Sequence, residues 1–266
     1  MKKEQAFVEE RKREILEYLG TRGKASVGEL CARFAVSSAT MRSDLRDLEE
    51  GGFLLRSHGG AMVKDKARFE PDAKEKEDRH LDEKRKLALL AAARVEDGDT
   101  IVIDTGSTTL AFAALLDSKR DLTVLTNDLA IALRLEEHPT ATVHFLGGMV
   151  RKRFHCTIGS VAEGYLKDLT VDKAFMGANA FSFEKGASTP DLQTAGLKRL
   201  MMSIADKVYL LVDSSKIGRN SFAGFASVGE IDCLITDSLA EEDAKALEEL
   251  GVEVLAAGIR AQEKGE

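Results

Sequence analysis

Val36-Ser-Ser-Ala-Thr-Met-Arg-Ser-Asp-Leu-Arg-Asp-Leu-Glu-Glu50 is the stretch that decides the fold. Ser37 is suited to cap a helix, because its hydroxyl can accept from an otherwise unpaired amide of the first turn. Met41, Leu45 and Leu48 then recur at i, i+4 and i+7, which makes one narrow apolar stripe. The opposite side carries Ala39, Arg42, Ser43 and Arg46 without a carboxylate, while Asp44, Asp47, Glu49 and Glu50 fall on the flanks. A basic face of this kind suits a major groove, where Arg reads guanine edges and hydroxyls take bases or phosphates. An ordinary solvated amphipathic helix would look much the same in isolation, so the flanking sequence has to decide.

Upstream, Ala25 to Phe34 reads as a short helix with Val27, Leu30 and Phe34 on one side. Ala35-Val36 is a tight connection into Ser37, so the two helices make a helix-turn-helix. Downstream, Gly51-Gly52 stops the second helix. Phe53 to Met62 then reads as a hairpin with a Gly59-Gly60 turn, that is, a wing. A first helix over 7–20, with Val8, Ile15, Leu16 and Leu19 inward, completes a winged domain at 1–63. The candidate DNA contacts are Ser37, Ser38, Thr40, Arg42, Ser43 and Arg46 on the helix, with Arg56 and His58 on the wing. Arg42 is assigned to base edges, and Arg46 or Arg56 to phosphates.

Charge agrees with this division. Residues 1–64 hold 12 Lys+Arg against 10 Asp+Glu, a net of +2, and the remainder holds 26 against 35, a net of −9. A net of +2 is modest, so firm DNA binding calls for a dimer or higher oligomer that presents several winged domains. No apolar run is long enough to span a membrane. The start of the chain lacks the apolar core of a secretory signal. The three cysteines, Cys31, Cys156 and Cys233, fit neither a zinc spacing nor a disulfide framework, which points to a reducing cytoplasm. No cofactor is expected.

The dense charge of residues 64–80, with Pro71 and a nearby Phe69, reads as an interdomain linker. From 81 to 266 strands alternate with helices, which predicts a mostly parallel sheet covered on both faces. Ligands in such sheets sit outside the carboxyl ends of the strands, and those ends are where small and polar residues collect here. Asp104-Thr-Gly106-Ser107-Thr108-Thr109 offers glycine, hydroxyls and a helix start, a suitable cradle for phosphate. Asn127 follows the next strand, then Gly147-Gly148 with Arg151 nearby, then Gly177 and the run through Thr189 to Asp191, and lastly Lys216 as a point charge. Any one of these is ordinary turn chemistry, but successive strand ends of this kind indicate a shared pocket. A P-loop is absent from the sequence, which argues against a nucleoside triphosphatase. His80, His138, His144 and the Met201-Met202 pair read as surface or packing residues, and Cys156 as a buried thiol.

Taken together, Val36-Ser37 through Asp44-Leu45, Leu48-Glu49, His58-Gly-Gly-Ala61, Asp104 to Thr109, Thr126-Asn127, Gly147-Gly148, Ser188-Thr-Pro-Asp191 and Asp213-Ser-Ser-Lys216 resemble the DeoR/GlpR-type family of bacterial repressors of sugar metabolism. The resemblance runs from about residue 10 to 255. It implies a winged DNA-binding domain, a sensor domain similar to ribose-5-phosphate isomerase, a phosphorylated sugar or polyol as effector, and homo-oligomers (dimer or tetramer) on operator DNA. Two positions depart from the family pattern. Arg42-Ser43 stands where two adjacent arginines are usual, and Thr194 where a Glu is often found. The sequence leaves two other readings open. One is an active sugar-phosphate isomerase fused to a DNA-binding domain, with Asp104 or Asp191 as the carboxylate base that such chemistry needs. The other is a DNA-binding activator or architectural protein without a small effector.

Overall fold

The structure, a computed structural model, describes residues 2–50, 53–57, 59–63 and 70–260, and divides into two units between Glu70 and Pro71. Gly51-Gly52, His58 and Phe69 lie outside the described residues, and so do the roles assigned to them above.

In the first unit, helix α1 (Lys2–Arg22) is followed by β1 (Lys24–Ser26), α2 (Val27–Phe34), α3 (Ser38–Glu50), β2 (Leu54–Ser57) and β3 (Gly60–Val63). The first helix is therefore longer than the 7–20 read from its apolar stripe. A capping box between Ser26 and Glu29 starts α2. Ala35, in the left-handed region at φ 52°, ends it by donating its N–H to the Cys31 carbonyl. Ser37 Oγ accepts from the Thr40 amide at 3.1 Å and so starts α3. The apolar stripe of α3 is inside, with Met41, Leu45 and Leu48 packed among Ile15, Leu16, Leu19, Leu30 and Leu54. Strands β1, β3 and β2 form an antiparallel sheet in that order. Its register pairs Ser57 with Gly60, so Gly60 belongs to a strand and not to the Gly59-Gly60 turn expected. Gly60 is required there, because a Cβ would stand 2.4 Å from the Ala25 carbonyl oxygen of β1.

The second unit begins ten residues earlier than the linker reading allowed. Asp72 caps a short helix α4 (Ala73–Glu77) through a capping box with Glu75, and the Ala73 amide donates to the Arg153 carbonyl at 2.8 Å. The charge that suggests a linker is thus used locally to fix a helix. Then come α5 (Leu81–Ala92), β4 (Thr100–Ile103), α6 (Ser107–Ala113), β5 (Thr123–Thr126), α7 (Leu129–Glu136), β6 (Thr142–Phe145), β7 (Met149–Arg151), β8 (Cys156–Ile158) and α8 (Ser160–Leu166). The remaining elements are β9 (Val171–Gly177), β10 (Ala180–Ser182), β11 (Gly186–Thr189), α9 (Leu192–Ser203), β12 (Ala205–Leu211), β13 (Ala223–Ala226), β14 (Cys233–Thr236), β15 (Leu239–Ala240), α10 (Glu241–Glu249), β16 (Glu253–Ala256) and β17 (Ile259–Arg260).

Seven strands make one parallel sheet in the order β16-β14-β12-β9-β4-β5-β6. Because alternate residues of a strand face opposite sides, one side packs on α5, α6 and α7 and the other on α8, α9 and α10. On the first side, Ile101, Ile103, Phe175 and Tyr209 meet Leu87, Phe112 and Ile131. The Phe112 and Phe175 rings lie 4.4 Å apart and Phe175 stacks on Tyr209 at 4.9 Å, arrangements that contribute about 0.5–1.5 kcal/mol each beyond area burial. On the second side, Val102, Ala174, Met176 and Leu210 meet Leu166, Leu197, Met201 and Leu247. From β4 the chain builds outward to β5 and β6. It then returns to the other side of β4 and builds outward through β9, β12, β14 and β16. The direction of building reverses between β4 and β9, which is the switch point where crevices open in such sheets.

Candidate functional site

The DNA-facing candidates lie on one surface of the first unit. Ser37, Ser38, Ala39, Arg42, Ser43 and Arg46 are exposed and Thr40 is half-buried. Arg42 and Arg46 pair with no carboxylate among the described residues. Three of the four acids of α3, Asp44, Asp47 and Glu49, are engaged elsewhere. Asp44 is buried and takes a two-pronged ion pair from Arg11 of α1, at 2.7 and 3.1 Å. Asp47 takes Lys12 at 2.7 Å. These pairs hold the back of the recognition helix to α1 and leave its other face basic, an arrangement suited to entering a major groove. Asp44 is read from the sequence as a flank residue; its burial follows from Arg11, 33 positions away, which no local pattern reveals. Arg56 is exposed on β2, but its amide and guanidinium both face Glu49, at 2.9 and 3.7 Å.

The second site is built at the carboxyl ends of the parallel strands. Asp104, directly after β4, is 1% exposed. Its Oδ2 accepts from the Gly177 amide at 3.0 Å, at the end of β9, and from the ammonium of Lys198 on α9. Lys198 is itself buried, donates also to the Gly177 carbonyl at 3.0 Å, and lies over the Phe225 ring at 5.1 Å. Burial pushes the Asp104 carboxyl above its ordinary range, against the opposing pull of Lys198 and the backbone amides. A carboxylate so tied is poorly placed to abstract a substrate proton.

Helix α6 starts earlier than its sequence suggests, with Gly106 as cap, so Ser107, Thr108 and Thr109 form its first turn rather than a loop. Their side chains differ in placement. Ser107 is half-buried, and Thr108 is buried with a hydroxyl that has no partner among the described residues. Thr109 is fully buried and donates to the Gly106 carbonyl at 2.9 Å, so its hydroxyl serves the fold and not the crevice. Thr105 donates to Asp128 at 2.6 Å, and Asp128 caps α7. Asn127, after β5, is buried. Its amide nitrogen donates to the Thr157 carbonyl at 2.9 Å, and its side-chain oxygen has no partner among the described residues.

The other expected residues are further from the switch point or turned to structural tasks. Gly148, at φ 130°, allows the Ile158 carbonyl to approach where a Cβ would be 2.7 Å from it, and the neighbouring Gly147 lies two residues after the end of β6. Arg151 lies over the Phe154 ring at 3.8 Å. Thr189 is buried and donates to the Asn179 side chain at 3.0 Å. Asp191 caps α9, its Oδ1 accepting from the Thr194 amide and hydroxyl at 2.8 Å each. Lys216 pairs with Asp213 at 3.2 Å. Burial alone would raise the Asp213 carboxyl, but Lys216, Ser215 and His80 outweigh it and hold the group below its ordinary range. Burial pushes the Cys156 thiol up to about 11, which leaves it a poor nucleophile at neutral pH.

Two buried lysines on helices escaped the sequence reading. Lys198 follows Leu197 in α9, and Lys84 sits among charged residues at the start of α5, where a lysine ordinarily faces solvent. Lys84 is 4% exposed and donates to the carbonyls of Lys76 and Glu77 at the end of α4. Desolvation, then the nearby Lys216, lowers its pKa to about 8. The described residues contain no cluster of His, Cys, Asp and Glu able to hold a metal, and no helix long and apolar enough to cross a membrane.

Comparison with known proteins gives the family. The DeoR-like helix-turn-helix domain matches residues 11–67 and the DeoR C terminal sensor domain matches residues 79–238. The HTH-type transcriptional regulator GlpR of Haloferax volcanii is 36% identical over 92% of this chain and 96% of its own length. The lactose phosphotransferase system repressor of Streptococcus mutans is 35% identical over 86% of this chain and 92% of its own. Among solved structures, D-ribose-5-phosphate isomerase in complex with phospho-erythronic acid aligns with 50% of this chain and 52% of that one, at 21% identity and a TM-score of 0.38. The chain belongs to the DeoR family and is a DNA-binding transcriptional regulator with a sensor domain, not an enzyme.

Proposed function

We propose that this protein represses a carbohydrate-utilisation operon in the cytoplasm and leaves its operator when a phosphorylated sugar or polyol binds the second unit. The observation that carries the reading is the set of buried polar atoms without partners at the strand ends. Asp104 Oδ1, Thr108 Oγ1 and Asn127 Oδ1 are all of this kind. Leaving such groups unsatisfied is costly, about 1–3 kcal/mol each, and a polyhydroxylated ligand satisfies them. They follow β4 and β5, beside the switch point. The relative named as a lactose phosphotransferase system repressor supports a carbohydrate as the signal.

In this reading the effector phosphate rests on the amides of Gly106, Ser107 and Thr108 and the hydroxyls of the last two, with Lys216 as counter-charge. Asn127 and Asp191 take sugar hydroxyls. On the DNA side Arg42 reads base edges, Arg46 contacts phosphates, and Ser37, Ser38 and Ser43 position the helix. Arg56 joins them only by leaving Glu49. A winged unit of net +2 binds weakly by itself, so the acidic second unit holds a dimer or tetramer. The effector acts by binding more tightly to the arrangement that has low operator affinity.

The test is a thermal-shift panel of phosphorylated sugars and polyols on the full chain, followed by titration of each hit into a protein–operator complex. A hit that stabilises the protein and releases DNA supports the reading. If every compound leaves both unchanged, the effector assignment is wrong.

A further inference from the structure

We propose that the outer edge of β6 is where two copies of this chain join: a two-fold axis at His144 pairs β6 with its counterpart antiparallel and merges the two seven-stranded sheets. This rests on the oligomer reading above and adds to it the surface and the symmetry.

Strand β6 ends the sheet, and no described strand pairs with its outer edge. Where β4 and β5 are buried over three of their four residues, β6 exposes Thr142 and Phe145 and leaves Val143 and His144 half-buried. The amides of Thr142 and Leu146 donate inward, to the carbonyls of Leu122 and Thr126 at 2.8 Å each. Peptide groups alternate along a strand, so Val143 and Phe145 turn both N–H and C=O outward. An open row of this kind is a template for another strand. Apolar side chains flank it. His144 Nδ1 and the Tyr165 hydroxyl lie 2.7 Å apart, and a Cβ on Gly147 would stand 3.9 Å from Val161, so α8 runs beside β6. Val161 and Tyr165, one turn apart on α8, are exposed, as are Phe145 on β6 and Met149 and Val150 on β7. Exposed apolar residues gathered in this way mark interaction sites.

Charge points to a second copy as the occupant. The second unit is acidic, yet residues 138–162 contain neither Asp nor Glu, the longest such run between 65 and 266. Two copies of an acidic unit meet here with the least repulsion. The two ends of the edge also differ in sign. The β7–β8 hairpin lies beyond the carboxyl end of β6 and bears Lys152, whereas α7 finishes beyond the amino end with Glu136 and Glu137. All three are exposed and have no ion-pair partner among the described residues. Antiparallel pairing sets the carboxyl end of one β6 beside the amino end of the other, so each Lys152 approaches the acids of the other copy. A two-fold interface needs this self-complementarity, and an unrelated partner does not. With Val143 facing Phe145 of the second copy, the outward peptide groups exchange hydrogen bonds. The two His144 residues then form a non-hydrogen-bonded pair, with Cα atoms about 4.5 Å apart.

The experiment uses the full chain. In a Cys31→Ser background, which removes the one cysteine that is not buried, His144→Cys should form a symmetric intermolecular disulfide under mild oxidation, because the expected Cα separation is one a disulfide spans. The same background without His144→Cys should stay uncross-linked. By sedimentation, Met149→Glu with Val161→Glu, at positions 60% and 65% exposed, should weaken association about 10-fold or more by placing like charges across the axis. Lys152→Glu should weaken it about 2- to 30-fold, the range for two exposed ion pairs, and Glu136→Lys with Glu137→Lys in the same chain should restore it. The cross-linking arm does not depend on the glutamate variants, so a variant that fails to fold leaves the test standing. If wild type is oligomeric but His144→Cys does not cross-link, or the double glutamate variant associates like wild type, or the charge swap fails to restore association, this proposal falls alone. If wild type sediments as a monomer at micromolar concentration, the oligomer reading falls and takes this proposal with it.

Discussion

Lys198→Met removes the cation from Asp104 and keeps an aliphatic side chain beside Phe225. The Asp104 carboxylate then remains 1% exposed with backbone amides as its donors. Breaking a buried pair from one side costs about 3–5 kcal/mol, because the remaining charge is left uncompensated. The size of the loss must depend on pH. Burial already raises the folded-state pKa of Asp104 above its unfolded value, and Lys198 supplies the largest opposing effects. Without Lys198 the folded-state pKa rises further. Between the unfolded and folded values the native state binds the extra proton, so stability is retained at low pH and lost as pH rises through the folded value. The slope in that window is about 1.4 kcal/mol per pH unit. Urea denaturation of Lys198→Met should therefore show the full deficit at pH 8 and a clearly smaller one at pH 5. Asp104→Leu combined with Lys198→Met should recover most of the loss, since an apolar replacement of both partners removes the buried charge altogether. A deficit below about 1 kcal/mol at pH 8, or one equal at pH 5 and 8, would refute the uncompensated-carboxylate argument.

Three further outcomes are expected. Arg42→Ala should cost about 1–3 kcal/mol on a duplex selected from a random pool and relax its sequence preference, whereas Arg56→Ala, already engaged by Glu49, should cost less and act on all sequences alike; salt-dependent binding isotherms distinguish the two. Ser107→Val with Thr108→Val, or Lys216→Ala, should retain operator binding and lose release by the inducing phosphosugar, as read by fluorescence anisotropy; loss of DNA binding itself would mean that these residues serve the fold. Lys84, at about 8 when folded against 10.5 unfolded, sheds its proton first in the native state, so wild-type stability should gain a rising component between about pH 8 and 10.5 that Lys84→Met abolishes in denaturation curves.

The sequence is informative where a local rule decides the outcome. The stripe Met41, Leu45, Leu48 is buried, Ser37 caps its helix, and apolar strands such as 100–103 and 123–126 lie in the parallel sheet. It is less informative where small residues make structure. Gly186-Ala-Ser-Thr189 and Ala223-Gly-Phe-Ala226 pair in a three-stranded sheet with β10, yet neither alternates in hydrophobicity, because both are buried along most of their length. The β7–β8 hairpin, with Met149 and Val150 exposed and Cys156 to Ile158 buried, is likewise invisible to a period-two pattern. In the site, glycine and hydroxyl signals locate the strand ends but not the direction of each side chain. Thr109 and Thr189 turn inward, Lys84 is buried against the carbonyls of the short helix before it, and Lys198 is buried by Asp104, 94 positions away, none of which helical spacing discloses.

The reversal between β4 and β9 also sets the order in which the chain can be made. Strand β4 meets β5 soon after it is synthesised, but its other edge waits for β9. The contact between Thr100 and Asp172 closes a separation of 72 residues. At translation speeds of about 5–20 residues per second, that edge stays open for roughly 4–15 s after β4 leaves the ribosome. During this interval β4, β5 and β6 form a half-sheet whose exposed border is the apolar Ile101-Val102-Ile103, a surface prone to pairing with another nascent chain. The winged unit is complete long before then. The late step in building this regulator is therefore the joining of two half-sheets across the middle of the sensor.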